Sequence, residues 1–151
     1  MKRILLFFSL VIILALIWYG ESRKFFCLDN GKCVTVWKTY NNVCYIIPGK
    51  YYGIVRPSGQ YIESTNTNYL TIYFSAELPM AFVFKSAEDV KVNSGVKNEF
   101  TFYDYIRDSS RFDKILYMPN AEKRSDIKAD AAMMDIDVRE NYAIDKSGKK
   151  L

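Results

Sequence analysis

Cys27, Cys33 and Cys44 are the side chains in this sequence whose type and spacing point to a definite chemistry, and the chain has no histidine. Without imidazole there is no Ser-His-Asp or Cys-His nucleophile, no imidazole metal site and no histidine pH switch. Three thiolates fall one ligand short of the usual structural zinc set. A catalytic thiol would lack its activating base. Disulfide chemistry remains, and no catalytic residue, metal or cofactor is expected.

The stretch "FFCLDNGKCVTV", residues 25 to 36, allows the disulfide to be tested by register. A two-residue turn at Asn30-Gly31 would set Leu28 opposite Cys33 and Cys27 opposite Val34, with the cysteines on opposite faces. A three-residue loop, Asp29-Asn30-Gly31 with Gly31 left-handed, sets Leu28 against Lys32 and Cys27 against Cys33. Directly opposed Cα atoms in a non-hydrogen-bonded pair lie about 4.5 Å apart, near the short end of the disulfide range. The sequence therefore predicts a hairpin closed by Cys27–Cys33, the alternative being two free, buried thiols. Cys44, in the apolar "NNVCYIIP", is expected in the core, with a bridge to Cys27 or Cys33 as the other option.

Carboxylates offer less. Glu63, Glu77, Glu99 and Asp104 would have to meet in space to act as an acid–base pair, and nothing in their spacing pairs them. Asp126, Asp130, Asp135, Asp137 and Glu140 lack the glycine turn and ligand spacing of a calcium loop. They alternate with Lys123, Arg124, Lys128 and Arg139, as on a solvated helix face. Tyrosines are more suggestive. Tyr40, Tyr51, Tyr52, Tyr61, Tyr69 and Tyr73 fall in the strand-rich part of a chain with 12 Tyr and 10 Phe. Aromatic rings on a sheet face stack on sugars or anchor protein interfaces. Tyr51, Tyr52, Tyr61, Tyr69 and Tyr73 are accordingly the candidate binding surface, against the simpler reading of half-buried strand residues. The loops "PGKYYG" and "RPSGQY" are its candidate edge.

The elements that position these residues begin with a leader, residues 1–24. Lys2 and Arg3 precede an apolar run from Ile4 to Tyr19 broken only by Ser9. A soluble helix would keep one polar face, and this one has none. It is a membrane-targeting segment, either a retained signal anchor or a cleaved signal peptide. These sixteen residues span roughly 24 Å, short of a ~30 Å hydrocarbon core unless Lys2 and Arg3 snorkel. No A-x-A site is present, and Gly20-Glu21-Ser22 is the best cleavage candidate. Trp18 and Tyr19 sit where an interfacial aromatic belt falls. The positive-inside rule places the N-terminus in the cytoplasm and residues 25–151 outside, periplasmic or at the cell exterior. That is an oxidising place, where disulfides persist.

About 130 residues remain, the size of one domain. Net charge is +4, falling to +2 without Lys2 and Arg3, so no clustered basic footprint for nucleic acid exists. The final "DKSGKK" reads as a solvated end. Short strand-like runs, 33–40, 43–48, 51–57, 59–64, 68–75, 80–85 and 89–92, are separated by turn signals every 8 to 12 residues or so. Beyond residue 100 the period changes. A short helix is expected over 102–110, capped by Thr101, then a strand over 114–119. Ile127, Ala131, Met134 and Val138 predict a second helix, capped by Asn120 and docked on the sheet. "NYAID" is a last strand or an extended tail.

The expected fold is mainly β (α+β): a membrane-targeting helix, then a small antiparallel sandwich or barrel-like domain carrying one or two C-terminal helices. The expected function is a membrane-anchored or exported binding domain, held to the membrane by its N-terminal segment and meeting a protein partner at the envelope. The alternatives are an inhibitor or immunity-type protein that blocks a toxin or hydrolase, and a carboxylate-dependent hydrolase.

Overall fold

The structure, a computed structural model, describes residues 2–39, 41, 43–65, 69–75, 81–84, 90–93, 100–104, 114, 116 and 127–151. Helix α1 runs Lys2–Ser22, and β1 (Arg23–Cys27) follows without a linker. Twenty-one helical residues extend roughly 31 Å, which covers the hydrocarbon core that the apolar run alone did not reach. The window Ile4–Ser22 has a mean hydropathy of 2.3, and none of it is buried against the rest of the protein.

Among the described residues, ten strands form two five-stranded sheets. The first has the order β1, β2 (Cys33–Lys38), β3 (Cys44–Pro48), β4 (Tyr61–Ser64) and β7 (Val90–Asn93), all antiparallel. The second has the order β10 (Tyr142–Asp145), β9 (Ala132–Asp137), β5 (Tyr69–Phe74), β6 (Ala81–Phe84) and β8 (Thr101–Asp104), with β6 and β8 parallel. Alternation decides which faces meet. Val34, Val36, Ile46 and Ile62 from the first sheet pack on Leu70, Ile72, Phe74, Met134 and Ile136 from the second. This is a sandwich with one shared core, as the strand spacing predicted. Fully burying each aliphatic side chain of this size contributes about 1.5–3 kcal/mol.

Four expectations about elements are corrected. The 51–57 run is a loop. Gly49, at φ 75°, turns the chain out of β3, and the Tyr51 amide then donates to Thr35 Oγ1 at 2.8 Å rather than to a strand. β3 is also already paired on both edges, so no ladder is free beside it. Of the docked helix expected after Asn120, the described residues begin at Ile127 and hold a turn followed by strand β9, not a helix. "AMMDIDV" satisfies both periods. Taken two by two, Met134, Ile136 and Val138 face the core, and β5 offers a full antiparallel partner from Tyr69 to Phe74. Tertiary pairing outweighs the helical preference of Ala and Met. Finally, Thr101–Asp104 is β8 rather than the start of a helix, and 105–113 lie outside the described residues. Of the expected strand at 114–119, Lys114 and Leu116 are helical and the others lie outside the described set. "NYAID" becomes β10.

The terminal "DKSGKK" is exposed but ordered. Asp145 Oδ1 accepts from Ser147 N, Ser147 Oγ and Lys149 N, and Leu151 N donates to Ala143 O. The Ser147 hydroxyl bond, with the two amides, holds the Asp145 carboxyl below its usual range. Lys149 Nζ reaches Asp29 at 2.9 Å, tying this tail to the cysteine hairpin.

Candidate functional site

The cysteine hairpin has the three-residue register. Cys27 pairs with Cys33, Leu28 N donates to Lys32 O at 2.9 Å, and Gly31 takes φ 80°. The two sulfurs stand at bonding distance, with Cα atoms 4.1 Å apart. Cys44 is free and buried in the shared core, between strand neighbours Lys38 and Ser64. Burial pushes its thiol up to about 12, only partly opposed by Lys38, so it carries almost no thiolate at neutral pH. Protein from its native compartment is therefore expected to take up no alkylating reagent while folded and one equivalent when denatured without reductant. Reduction before denaturing alkylation should raise this to three. Mass spectrometry reads all three states, and three adducts without reductant would reject the bridge.

The same hairpin register sets Arg23 opposite Trp37. Arg23 is the first residue after the helix, yet it is only 4% exposed. Its guanidinium carbon lies 4.4 Å from the Trp37 ring centroid, 4.5 Å from Tyr19 and 5.8 Å from Tyr51. Nε and Nη1 are buried without a hydrogen-bond acceptor among the described residues. The ring faces supply the negative density that an oxygen would otherwise provide. One cation thus clamps the last turn of α1, strand β2 and the loop after β3.

That loop lies over the outer face of the first sheet, where Trp37, Tyr45, Ile47 and Tyr61 form a second apolar layer with Tyr51 against it. Trp37 packs on Tyr45 at a tilt and Tyr45 meets Tyr61 edge-on, with centroids 5.3 and 5.5 Å apart. Arg56 Nη2 donates to the Tyr45 hydroxyl at 2.9 Å and stands 3.9 Å from Glu63. The Tyr51 hydroxyl donates back to Val55 O at 2.6 Å, and its ring lies so close over Gly53 that a Cβ there would collide with it. Tyr19 of α1 donates to Tyr52 O at 2.8 Å. Beyond this bond, Tyr52, Ile54 and Val55 are 63%, 79% and 67% exposed.

The five candidate tyrosines do not form one surface. Tyr51 and Tyr52 lie in the loop over the first sheet and Tyr61 on its strand β4, while Tyr69 and Tyr73 lie on β5 of the second. Tyr61 and Tyr73 are buried, which leaves Tyr52 and Tyr69 with exposed rings. Tyr40 is outside the described residues. Among the carboxylates, Glu63 faces Arg56 in the first sheet and Asp104 lies in the second; Glu77, Glu99 and Asp126 are outside the described set. The acidic stripe is not a helix face. Asp135 accepts from Thr71 Oγ1 at 2.5 Å, and Asp137 accepts from Glu140 N at 2.8 Å. No group of three or more possible metal ligands occurs among the described residues.

Arg23 is a functional position that residue type alone does not mark. The signal was present: the register that aligns Cys27 with Cys33 also aligns Arg23 with Trp37, and a cation opposite a tryptophan beside Trp18-Tyr19 is a ready ring-stacking pair. Comparison of the chain with protein-family models, curated proteins and solved structures finds no match.

Proposed function

We propose that this chain is a single-pass membrane protein whose uncleaved helix α1 holds an extracytoplasmic β-sandwich against the membrane surface, where the sandwich binds a protein partner without catalysis. The observation that carries this reading is the unbroken passage from an apolar, unburied helix into β1 through the Arg23 clamp. A signal peptide is built to be cut away from its domain. Here Tyr19, inside the apolar segment, packs on the guanidinium and bonds the domain's loop. The closed cysteine hairpin agrees with an oxidising compartment. The non-catalytic part is supported by the use of side chains: Cys44 is inert, and Glu63, Asp135 and Asp137 all have structural partners.

Alkaline extraction tests the anchor. The full-length chain is expected to stay in the membrane pellet with its N-terminus intact, and to resist protease in inverted vesicles. Release of a chain lacking residues 1–22 would reject the anchor. For binding, a photo-crosslinking amino acid at Tyr69, exposed on β5, is expected to give one discrete adduct in native membranes. Turnover of a glycan or ester panel by the full chain, with no adduct, would overturn the binding reading.

A further inference from the structure

We infer that the Tyr52–Val55 segment is a second membrane contact, a rigid apolar wedge that enters the interfacial layer of the same bilayer α1 spans. The inference rests on the retained anchor proposed above. Tyr19 belongs to the final turn of the span, at the level where an aromatic belt meets the headgroups. Its hydroxyl bonds Tyr52 O directly, so the loop backbone stands at that level too. No linker lets the domain lift away, and the Arg23 clamp fixes the loop to the helix through Tyr51.

The chemistry of the loop fits lipid. Among the described residues, Tyr52, Ile54 and Val55 are the most exposed large apolar residues of the sandwich apart from Tyr69. Ile54 and Val55 would be costly on a surface meant only for water, and paired in one turn they form a patch. Lys50 and Arg56, both exposed, flank the patch as cations flank the apolar face of an interfacial element. Tyr52 also leans on Phe25 of β1, with centroids 5.0 Å apart, which pairs a ring of the loop with one on the strand that follows α1. The loop is pre-shaped. Thr35 Oγ1 holds Tyr51 N at one end, Tyr51 Oη holds Val55 O across the turn, and Pro57 and Gln60 are buried at the other end. Little chain entropy is left to lose on insertion. The cysteine hairpin and the C-terminal tail lie at the far end of β1, joined to each other by Asp29 and Lys149.

The test uses the full-length protein in phosphatidylcholine–phosphatidylglycerol vesicles. Val55→Cys and, as the distal control, Lys150→Cys are each labelled with an environment-sensitive fluorophore without reductant, so that buried Cys44 and the hairpin bridge stay unlabelled. Lipids carrying a nitroxide near the headgroup are expected to quench the Val55 label roughly twofold or more over the Lys150 label, with a blue-shifted emission at Val55 only. Adding Ile54→Asp to Val55→Cys should abolish the blue shift and weaken the quenching, while the fixed junction keeps the loop near the headgroups. Equal, weak quenching at both positions in vesicles that carry the protein through flotation would overturn the wedge and leave the anchor intact. Failure of the protein to float would overturn the anchor reading, and the wedge with it.

Discussion

Arg23→Ala should lower the stability of the folded domain by about 2–4 kcal/mol, measured by urea unfolding of the full chain in detergent micelles with Trp37 fluorescence as reporter. Two terms add. Truncation empties the space between Trp37, Tyr19 and Tyr51, all of whose centroids lie within 6 Å of the guanidinium. It also removes the charge–ring attraction, worth about 0.5–2 kcal/mol in a desolvated site. One term opposes them. Nε and Nη1 lost water on burial without gaining an acceptor among the described residues, and removing them recovers part of that cost. Arg23→Met separates the terms, because it fills most of the volume without the charge. A loss near 1 kcal/mol for Met against the larger loss for Ala would make packing the main term. Equal losses would assign the clamp to the cation. A loss below about 0.5 kcal/mol for Ala would mean that the junction does not depend on Arg23 at all.

The sandwich was largely legible because its strands obey one short-range rule. Runs such as "CVTVWK" and "NYLTIYF" alternate cleanly, and the polar turns between them are strong. The hairpin was legible to the residue because only one loop length puts both sulfurs on one face. What failed was local pattern in places where partners decide. "AMMDIDV" carries helical and strand periods at once, and the unpaired edge of β5 settles the matter from about 60 residues away. "YYGIVRP" is rich in strand-favouring residues but arrives when both edges of β3 are taken. Its residues then serve as a lid over the outer aromatic layer.

The candidate surface was less legible than the fold, for a related reason. Tyrosine content says that rings will sit on pleated surfaces and does not say which face another segment will cover. Tyr61 and Tyr52 look alike in sequence. Tyr61 is under the 51–57 lid, and Tyr52 is on its rim. Cys44 shows the opposite case. An apolar strand context alone predicted a buried thiol, and its place opposite Ser64 and Lys38 in the middle of the first sheet bears that out.

Gln60→Ala should cost more than any surface change, about 3–4 kcal/mol, because it strips a buried polar clamp between the sheets. Gln60, just before β4, is buried with Phe100, just before β8. Its Nε2 donates to Phe100 O at 2.8 Å, and its Oε1 accepts from Phe100 N at 2.5 Å. The side chain thereby copies one rung of a ladder across 40 residues of sequence. Each buried backbone group that loses such a partner costs about 1–3 kcal/mol, and the missing amide leaves a void as well. A loss within 0.5 kcal/mol or so would show that the two sheets stay joined without it. Gln60→Glu gives a sharper reading. At neutral pH the introduced carboxylate still accepts from Phe100 N but faces Phe100 O with no proton to donate. Burial and that carbonyl favour the neutral acid, so its folded pKa should lie above the ordinary Glu value of about 4.3. A group with a raised folded pKa binds more protons in the native state, so stability is highest at low pH and falls as pH rises through that pKa. Relative to the parent chain, Gln60→Glu should therefore regain stability on acidification from pH 7 towards about 5, a recovery absent from Gln60→Ala. The same flat pH profile for both variants would show that the introduced carboxyl is neither buried nor set against Phe100 O, and would overturn the clamp.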